Sequence, residues 1–254
     1  MFVTEDMSYR IDQRTILNPT SVTLETGKVY GIIGHNGSGK STFAKLLAHQ
    51  LIPSAGQIEI DQTALSAFSS KDLAKVISYL PQYLPSDIHL TVEELVKLGR
   101  FAWKGLTKKY DQQDQAIITQ SLEQTDTLQF KTQLLSGLSG GERQRVWLAM
   151  CLAQKSQYLI LDEPLSALDI NHQIEVMRLL QQLAHQYQLT IVVVIHDINL
   201  ASEFCDQILA FKQGQLIYNL PAHELIQPAI LQDIYDMPFS IVAHPQRKYQ
   251  VALP

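Results

Sequence analysis

Apolar residues are distributed along this chain in two ways, as short continuous runs and as repeats at helical spacing. The runs at 29–33, 158–161 and 189–195 have the length of strands and no regular polar alternation, which predicts strands buried on both faces. A helical repeat follows the first run; it consists of Phe43, Ala44, Leu46, Leu47 and Leu51. Buried strands followed by helices are typical of a parallel sheet, so we predict an α/β fold in which the carboxyl ends of the three runs lie side by side.

The segment at 91–153 differs from the rest, because its apolar residues recur only at helical spacing and no strand pattern interrupts them. We predict an inserted helical subdomain over about residues 86–154 within a single domain. The core is then formed by about residues 1–85 and 155–220. About residues 221–254 form a C-terminal extension, to which composition assigns no role.

Weaker strand patterns surround the first buried run. Alternating stretches around Tyr9 and at 22–24 predict antiparallel strands laid beside that run. A half-buried strand is predicted at 57–61, a further strand at 76–80, and a short hairpin after Gly214. Together these patterns add an antiparallel β subdomain to the parallel core.

Composition narrows the class of protein. The 254 residues are 46% hydrophobic and 18% charged, which is typical of a soluble globular protein, and the net charge of −5 argues against a nucleic-acid or anionic-lipid partner. Any attachment to a membrane should therefore run through a protein partner. The acidic start lacks the apolar region of a signal peptide, and no run reaches the ~18 apolar residues of a spanning helix, so we expect a cytoplasmic protein. Cys151 and Cys205 are expected to be reduced thiols in the core.

A glycine-rich loop comes directly after the first buried run and matches the pattern G-x-x-x-x-G-K-[ST]; it consists of Gly34, His35, Asn36, Gly37, Ser38, Gly39, Lys40, Ser41 and Thr42. We predict positive φ angles at Gly34, Gly37 and Gly39, so that backbone N–H groups and the next helix both point at an anion. Lys40 would reach the β- and γ-phosphates, and the Ser41 hydroxyl would ligate Mg²⁺. A plain glycine-rich turn is the alternative, but the strand before the loop and the helix after it favour a nucleoside triphosphate site.

Two further strand ends carry candidate catalytic groups. The run at 158–161 ends in Asp162 and Glu163, at the sheet edge where parallel α/β proteins bind ligands. Asp162 suits the shell of a Mg²⁺ ion, and Glu163 is placed to accept a proton from the attacking water. A solvated acidic pair is the structural alternative. His196 follows the run at 189–195 and is a candidate donor to a γ-phosphate, although a histidine at a strand end is more often structural.

Two helix starts follow the capping rules. Ser139 is a favourable cap, and Gly140 and Gly141 open the backbone behind it, so this helix offers a second anion-binding end. Read alone, the same pattern is a capped surface helix. A later helix should start after Ser166 or Asp169, either of which is a possible cap.

Together, these segments resemble the ATPase subunit of an ATP-binding cassette (ABC) transporter over essentially the whole chain; the segments are the loop 34–42, residues 138–142, the strand ending at 162–163, residues 166–169, and His196. The resemblance implies a P-loop NTPase (RecA-like) core with an antiparallel β subdomain and an inserted α-helical subdomain. It also implies ATP hydrolysis with Mg²⁺. One departure is Leu165, where the family usually has threonine.

The resemblance implies roles that spacing alone does not. Tyr9 corresponds to the aromatic residue that stacks on adenine. Gln82 corresponds to the glutamine that senses the transmembrane partner and the γ-phosphate, and it joins Ser41 and Asp162 around the metal. Asp169 corresponds to the aspartate that crosses the dimer interface, and His196 to the switch histidine.

Within the family, the chain is most similar to importer subunits for iron chelates, in particular ferric hydroxamate siderophores such as ferrichrome. The residues behind this likeness are 31–40, 79–85, 139–150, 161–172, 196–199 and the tail at 237–245. Haem, cobalamin and other siderophores remain open as cargo, because this subunit would not touch the transported molecule. A soluble cassette ATPase without a transport role is a more distant alternative.

The resemblance also implies partners. In a homodimer, ATP held by Lys40 and Ser41 of one chain would be closed by Ser139, Gly140 and Gly141 of the other. Integral membrane permease subunits would hold the dimer at the cytoplasmic face of the inner membrane. A periplasmic or lipid-anchored substrate-binding protein would act indirectly through the permease.

Overall fold

The computed structural model describes residues 1–85, 88–105, 109–243 and 250–253. The strands are β1 (Phe2–Ile11), β2 (Arg14–Leu24), β3 (Val29–Gly34), β4 (Ala55–Ile60), β5 (Thr63–Ala64), β6 (Ile77–Leu80), β7 (Tyr158–Asp162), β8 (Thr190–Val194), β9 (Gln207–Lys212), β10 (Gln215–Pro221), β11 (Ser240–Ala243) and β12 (Gln250–Leu253). The α-helices are α1 (Lys40–Leu47), α2 (Ser70–Val76), α3 (Val92–Leu98), α4 (Phe101–Lys104), α5 (Gln112–Gln124), α6 (Gly140–Ala153), α7 (Ile170–Tyr187), α8 (Ile198–Phe204) and α9 (Pro228–Tyr235).

The chain divides into two compact units, each with its own core. The first consists of Met1–Ala67 with Leu180–Pro254, and the second of Phe68–Leu179. Helix α7 contributes residues to both. The predicted α/β fold class is confirmed, because parallel strands, antiparallel strands and helices are all present. The predicted limits of the helical subdomain, core and extension stay predictions.

The first unit contains the nucleotide strand, β3, which is buried at every residue. Strand β3 runs parallel to β8 on one side and to β9 on the other, and β10 pairs antiparallel with β9. Ile32 pairs with Val194, so the predicted adjacency of the ends of these two apolar runs is confirmed. The helix after the loop, α1, buries four apolar residues of the predicted repeat; they are Phe43, Ala44, Leu46 and Leu47.

The prediction that the early strands lie beside β3 is wrong. Strands β1 and β2 pair with each other and with β4 and β5, in a separate antiparallel sheet of order β2-β1-β4-β5. A strand has only two hydrogen-bonding edges, and those of β3 are taken by β8 and β9. The alternating burial of β2 fits a sheet with one exposed face, whereas the uniform burial of β3 fits a strand covered on both faces.

The predicted hairpin is present, but it does not begin after Gly214. Gly214 lies in the turn of the hairpin itself. Strand β9 precedes the turn and β10 follows it. Gly214 has a φ of +78°, and a Cβ atom there would lie 2.5 Å from the Ile16 carbonyl oxygen, so only glycine fits. The turn therefore packs tightly against β2.

The tail at 237–245, which contributes to the likeness to iron-chelate importer subunits, is described only as far as residue 243. Residues 244 and 245 lie outside the described residues.

The second unit combines the parallel pair β6 and β7 with a cluster of helices. Helices α3, α5 and α6 enclose an apolar core; its buried residues are Val92, Leu95, Val96, Ile118, Leu122, Leu135, Leu138, Val146, Ala149 and Ala153. Between residues 91 and 153, the described positions contain an isolated bridge from Thr91 to Leu134 but no named strand, in agreement with the helical pattern. Helices α2 and α4 were not predicted.

A buried ion cluster ties α4 to α5 in this unit. Asp114 is 1% exposed and accepts from Arg100 Nε at 3.1 Å, and its second carboxylate oxygen lies 2.8 Å from Lys104 Nζ. Lys104 also pairs with Asp111, which caps α5. Elsewhere in the core, Cys151 and Cys205 are buried free thiols, as expected.

Candidate functional site

The phosphate loop connects β3 to α1 in the conformation that its glycines predict. Gly34, Gly37 and Gly39 have φ angles of +137°, +75° and +102°, so the predicted positive values are confirmed. Gly39 forms the N-cap of α1 in the left-handed conformation. The first N–H groups of a helix have no acceptor within the helix itself, and a glycine-rich loop that leads into such a helix start binds anions.

Gly34 illustrates why the start of the loop requires glycine. A Cβ atom there would lie 2.0 Å from the Phe211 carbonyl oxygen, because β9 passes directly beside the end of β3. No side chain fits in that space. Close packing against β9 therefore fixes the point at which the chain leaves the sheet and enters the loop.

Lys40 lies inside the loop and is only 4% exposed. Its Nζ donates to the carbonyl oxygens of Gly34 and His35, each at 2.8 Å. The ammonium group is thus held against the first turn of the loop, where a phosphate group bound by the loop amides would meet it. Ser41 and Thr42 follow in the first turn of α1 and are half-buried.

The outer side of the loop is held by the turn between β9 and β10. The Gly214 amide donates to the Ser38 carbonyl at 3.0 Å, and the Gly214 carbonyl accepts from the Asn18 amide at 2.8 Å. At the other end of the loop, the exposed ring of His35 meets Tyr235 of α9 edge to face, with centroids 5.3 Å apart. Asn36 and Gly37 are exposed between these two supports.

The second unit places two carboxylates at the end of β7. Asp162 is 1% exposed, whereas Glu163 is half-buried and has a φ of +55°. A positive φ is uncommon for residues other than glycine and is found in strained turns at functional sites. The Glu163 carbonyl oxygen accepts from the Ser166 hydroxyl at 3.2 Å, which helps to hold the turn.

Gln82 lies beside Glu163 because β6 runs parallel to β7. Leu80 pairs with Leu161, so the residues that follow these two strands leave the sheet together. The Gln82 Nε2 amide donates to Glu163 Oε2 at 2.7 Å. The carboxylate is therefore oriented by a side chain that the family resemblance connected with the transmembrane partner, the γ-phosphate and the metal.

Tyr79 lies on β6, near the end of the strand pair that carries Asp162. Burial raises its pKa, and the charge of the nearby Asp162 carboxylate raises it further. Tyr79 therefore stays neutral at physiological pH, and its environment favours the protonated phenol.

Gln144, on α6, is a buried polar residue that was not predicted to take part in the site. It is 6% exposed, and its Nε2 lies 3.5 Å from the Glu163 carbonyl oxygen while its Oε1 accepts from the Ala167 amide at 3.3 Å. Gln144 thus joins α6 to the turn after β7. The sequence contained one signal for this role. The residues that follow Gln144 at helical spacing are apolar, which places Gln144 on the buried face of the helix.

Ser139 is confirmed as a helix cap. Its hydroxyl oxygen accepts from the Glu142 amide at 3.3 Å, while the Glu142 carboxylate accepts from the Ser139 amide at 2.8 Å, which is a capping box. The hydrogen bond from the Ser139 hydroxyl lowers the pKa of Glu142. Ser139 and Gly140 are exposed, so the start of α6 is accessible from outside.

Asp169, rather than Ser166, caps the helix that follows. Its carboxylate accepts from the His172 amide at 3.0 Å and contacts His172 Nδ1 at 2.9 Å. The His172 amide and ring lower the pKa of Asp169. The carboxylate stays on the surface, where a neighbouring chain can reach it.

The remaining candidates lie on the first unit. Tyr9 is half-buried in β1 and pairs with Leu17. His196 is exposed directly after β8, and the next residue, Asp197, caps α8 through the amides of residues 199 and 200. The structure thus assembles the phosphate loop in the first unit, and it assembles Gln82 with Glu163 in the second.

A strand, a glycine loop closed on a buried lysine, and an acidic strand end define a P-loop nucleoside triphosphatase. A family model described as ABC transporter matches residues 17–166. The chain therefore belongs to the ABC transporter family, as an ATP-binding subunit with ATPase activity.

Relatives of known name match nearly the whole chain. The petrobactin import ATP-binding protein YclP of Bacillus subtilis (strain 168) is 38% identical over 241 residues, which are 95% of each chain. The iron(3+)-hydroxamate import ATP-binding protein FhuC of the same organism is 36% identical over 250 residues, which are 98% of this chain and 93% of the relative.

Solved structures have the same fold. A putative metal-chelate type ABC transporter in an inward-facing conformation matches with a TM-score of 0.83 at 23% identity, over 100% of this chain and 96% of the other. A dimeric ATP-binding cassette in a post-hydrolysis state with ADP and Pi matches with a TM-score of 0.76 at 26% identity, over 87% of this chain and 99% of the other. The predicted P-loop core with antiparallel and helical additions is thus confirmed.

Proposed function

We propose that this chain hydrolyses ATP to power the import of an iron–siderophore complex of the ferric hydroxamate class across the cytoplasmic membrane. The observation that supports a ferric hydroxamate as cargo is the 36% identity to an iron(3+)-hydroxamate import protein over 98% of the chain. Two petrobactin import proteins at 38% identity support siderophores more generally. A hemin import protein of Thermobifida fusca (strain YX), 35% identical over 95% of this chain, makes haem the main competing cargo.

In the proposed reaction, the loop amides and Lys40 bind the phosphates of ATP. Glu163 acts as the general base that positions the attacking water, and Gln82 orients its carboxylate through the 2.7 Å hydrogen bond. His196 donates a hydrogen bond to the γ-phosphate. Tyr9 stacks on the adenine ring.

The proposed magnesium ligands are Ser41, Gln82 and Asp162. Hydroxyl, amide and carboxylate oxygens are the donors that Mg²⁺ prefers, and the low exposure of Asp162, 1%, strengthens its attraction for a cation. Because Gln82 donates its Nε2 group to Glu163, its Oε1 atom is the one that would bind a metal. When bound, Mg²⁺ neutralises charge on the transferred phosphoryl group.

We propose that two copies of the chain form a dimer around two ATP molecules. Ser139, Gly140 and Gly141 of one chain close the nucleotide held by Lys40 of the other, and Asp169 crosses the interface. The exposure of Ser139 and Gly140 at a capped helix start supports this arrangement, as does the likeness to a dimeric cassette. ATP favours the closed dimer, and loss of the γ-phosphate allows it to open.

The proposed site for the permease is a groove of about 510 Å³ on the second unit; its lining residues are Ser70, Lys71, Ala74, Leu98, Gly99, Phe101, Ala102, Gly105 and Gln154. Phe101 in the lining is 47% exposed, and Trp103, whose Nε1 donates to the Gln154 carbonyl, is 40% exposed, so the groove offers apolar surface to a partner. In the described ranges, no helix is long and apolar enough to cross a bilayer. We propose that a short helix in a cytoplasmic loop of the permease occupies this groove, and that the permease in turn meets a periplasmic or lipid-anchored binding protein.

Phe101→Glu tests the groove. We expect the variant to keep the ATP affinity of the isolated chain but to remain in solution when the permease is co-expressed, whereas the wild-type chain sediments with membranes. Lys109→Glu, an exposed change at a residue that does not line the groove, is the matched control. Membrane recovery of Phe101→Glu equal to that of the wild type would exclude the groove as the docking site.

The cargo is tested by reconstituting the chain with its permease and binding protein in proteoliposomes. Ferrichrome should raise ATP hydrolysis and drive iron uptake, while haem and cobalamin should not. Stimulation by haem alone would replace the siderophore assignment. ATP hydrolysis that no permease and no cargo changes would favour the soluble, non-transport alternative.

A further inference from the structure

The C-terminal helix α9 packs directly against the phosphate loop. Tyr235, its last residue, meets the ring of His35 edge to face, with centroids 5.3 Å apart and planes inclined at 70°. Phe239 packs on Tyr235 in turn, with centroids 5.7 Å apart. Edge-to-face pairs of this kind are directional, so they fix the relative orientation of the rings as well as bury area.

The hydroxyl group of Tyr235 also faces the loop. Its oxygen is buried and makes no hydrogen bond of standard geometry with the described residues. Burial raises the pKa of Tyr235 to about 12, and the backbone amide of Gly34 opposes that rise, so the phenol stays protonated at neutral pH. Tyr235 therefore contacts the loop through its ring, which meets that of His35.

Helix α9 is anchored so that this contact is firm. Leu231 and Ile234 are completely buried on its inner face. Lys212, at the end of β9, donates to the Asp233 carbonyl oxygen and pairs with the Asp236 carboxylate at 2.8 Å. Tyr218, on β10, donates to the Asp233 carboxylate at 2.9 Å. The hairpin of β9 and β10 thus holds α9 at one end of the loop.

The same hairpin holds the other side of the loop, because the Gly214 amide in its turn donates to the Ser38 carbonyl at 3.0 Å. Between these supports, the His35 carbonyl accepts from Lys40 Nζ. A contact that restrains the ring of His35 therefore acts on the same residue that supplies one of the two carbonyl partners of Lys40.

We propose that Tyr235 is a positioning residue for ATP binding, which acts through His35 to hold the phosphate loop and Lys40 in their nucleotide-binding arrangement. The C-terminal helix thereby sets the affinity for the β- and γ-phosphates. This inference rests on the proposed role of the loop and Lys40 in ATP binding, and it assigns a role to the C-terminal extension.

The first test measures nucleotide affinity of the full chain by calorimetry. Tyr235→Ala should raise the Kd for ATP and ADP about threefold to tenfold, which is the fold-change expected when an aromatic pair is lost. The Kd for AMP, which offers Lys40 no β- or γ-phosphate, should change less than about twofold. Tyr235→Phe keeps the ring contact and should restore most of the affinity. Gln232→Ala, an exposed change on α9, is the matched control.

The second test is a double-mutant cycle with His35→Ala. If Tyr235 acts through His35, the two changes together should raise the Kd for ATP no more than the larger single change does, because interacting residues are not additive. Fully additive effects would overturn the route through His35. An unchanged ATP affinity in folded Tyr235→Ala, or equal losses for ATP, ADP and AMP, would overturn the positioning role.

A melting curve without nucleotide checks that each variant is folded. Should Tyr235→Ala not fold, two other variants replace it. Tyr235→Leu keeps an apolar side chain at this position without a ring contact, and Phe239→Ala removes the ring that packs on Tyr235. Either should weaken ATP binding more than AMP binding, and wild-type affinities in both would overturn the proposal. Failure of transport or hydrolysis in the wild-type chain would contradict the proposed function without changing these binding readouts.

Discussion

Gln82 and Glu163 are 81 residues apart in the sequence, yet Gln82 Nε2 donates a 2.7 Å hydrogen bond to Glu163 Oε2. Each follows one strand of the parallel pair β6 and β7, and Leu80 and Leu161 are paired just before them. The proposed base is therefore already oriented by the residue through which the family resemblance connects the site to the permease. Movement of Gln82 would change the orientation of the carboxylate directly.

Glu163→Gln should keep ATP binding and lower the hydrolysis rate by at least about 100-fold, because an amide cannot accept the proton of the attacking water. Phosphate release by the purified chain measures the rate, and gel filtration with ATP should show a trapped dimer. Glu175→Gln, an exposed change on α7, is the control. An unchanged rate in Glu163→Gln would remove Glu163 from the role of base.

Gln82→Glu should make hydrolysis depend on pH in a new way. The change puts a second carboxylate within hydrogen-bonding distance of Glu163, and two carboxylates that share one site retain a proton to higher pH than one alone. The acidic limb of the pH–rate profile should therefore move to higher pH, with Gln82→Ala slower but unshifted. Identical profiles for Gln82→Glu and the wild type would show that the contact is absent during turnover.

Lys40→Ala should weaken ATP binding by about tenfold to 100-fold, since charge-assisted hydrogen bonds to the phosphates are lost. Lys40 also donates to the Gly34 and His35 carbonyls, so the loop without nucleotide should be more mobile in the variant than in the wild type. Calorimetry measures the affinity, and Lys45→Ala, an exposed change on the same helix, is the control. Equal affinities for Lys40→Ala and Lys45→Ala would contradict the phosphate-binding assignment.

Mixing two inactive variants tests the composite site. Ser139→Arg should bind ATP as a monomer without hydrolysing it, and Lys40→Ala should bind ATP only weakly. If each site combines both chains, a mixed dimer has one site with both changes and one intact site. About half of the dimers in an equal mixture are mixed, so about a quarter of all sites are intact. Hydrolysis should therefore reappear on mixing. Inactivity at every mixing ratio would argue that Ser139 and Lys40 do not meet across chains.

The ion cluster around Asp114 should make the second unit sensitive to acid. Burial alone would raise the pKa of Asp114, but hydrogen bonds from Lys104, the Asp111 amide and Arg100 outweigh burial and lower it. The hydrogen bond from Lys104 lowers the pKa of Asp111 to about 2. Because both folded-state values are depressed, the stabilisation is complete above the unfolded pKa near ~4 and is lost as pH falls towards about 2.

Asp114→Asn should therefore lower the free energy of unfolding by about 3 kcal/mol at neutral pH, because it leaves Arg100 buried without its charge partner. The loss should shrink as pH falls through the same window. Thermal unfolding at several pH values measures this, with Glu123→Gln on the exposed side of α5 as the control. A constant difference from the wild type at all pH values would show that the cluster does not titrate on unfolding.

Much of the site was predictable from the sequence because its determinants are local. The positive φ angles of Gly34, Gly37 and Gly39 follow from residue type in a loop between a strand and a helix. Ser139 caps its helix through a residue three positions away, so the pattern is visible in the sequence. Family resemblance then extended these local signals to a whole transporter ATPase, which the comparisons confirm.

The tertiary structure decided which distant segments meet. Apolar periodicity identified β3 as a buried strand and predicted β8 beside it, but it did not specify that β9, rather than β1 or β2, occupies the other edge. Edge pairing depends on topology, because the backbone groups that form sheet hydrogen bonds are the same in every residue except proline. The contacts of Gln82 with Glu163 and of His35 with Tyr235 arise in the same way, from strands and helices whose order in space the one-dimensional pattern does not record.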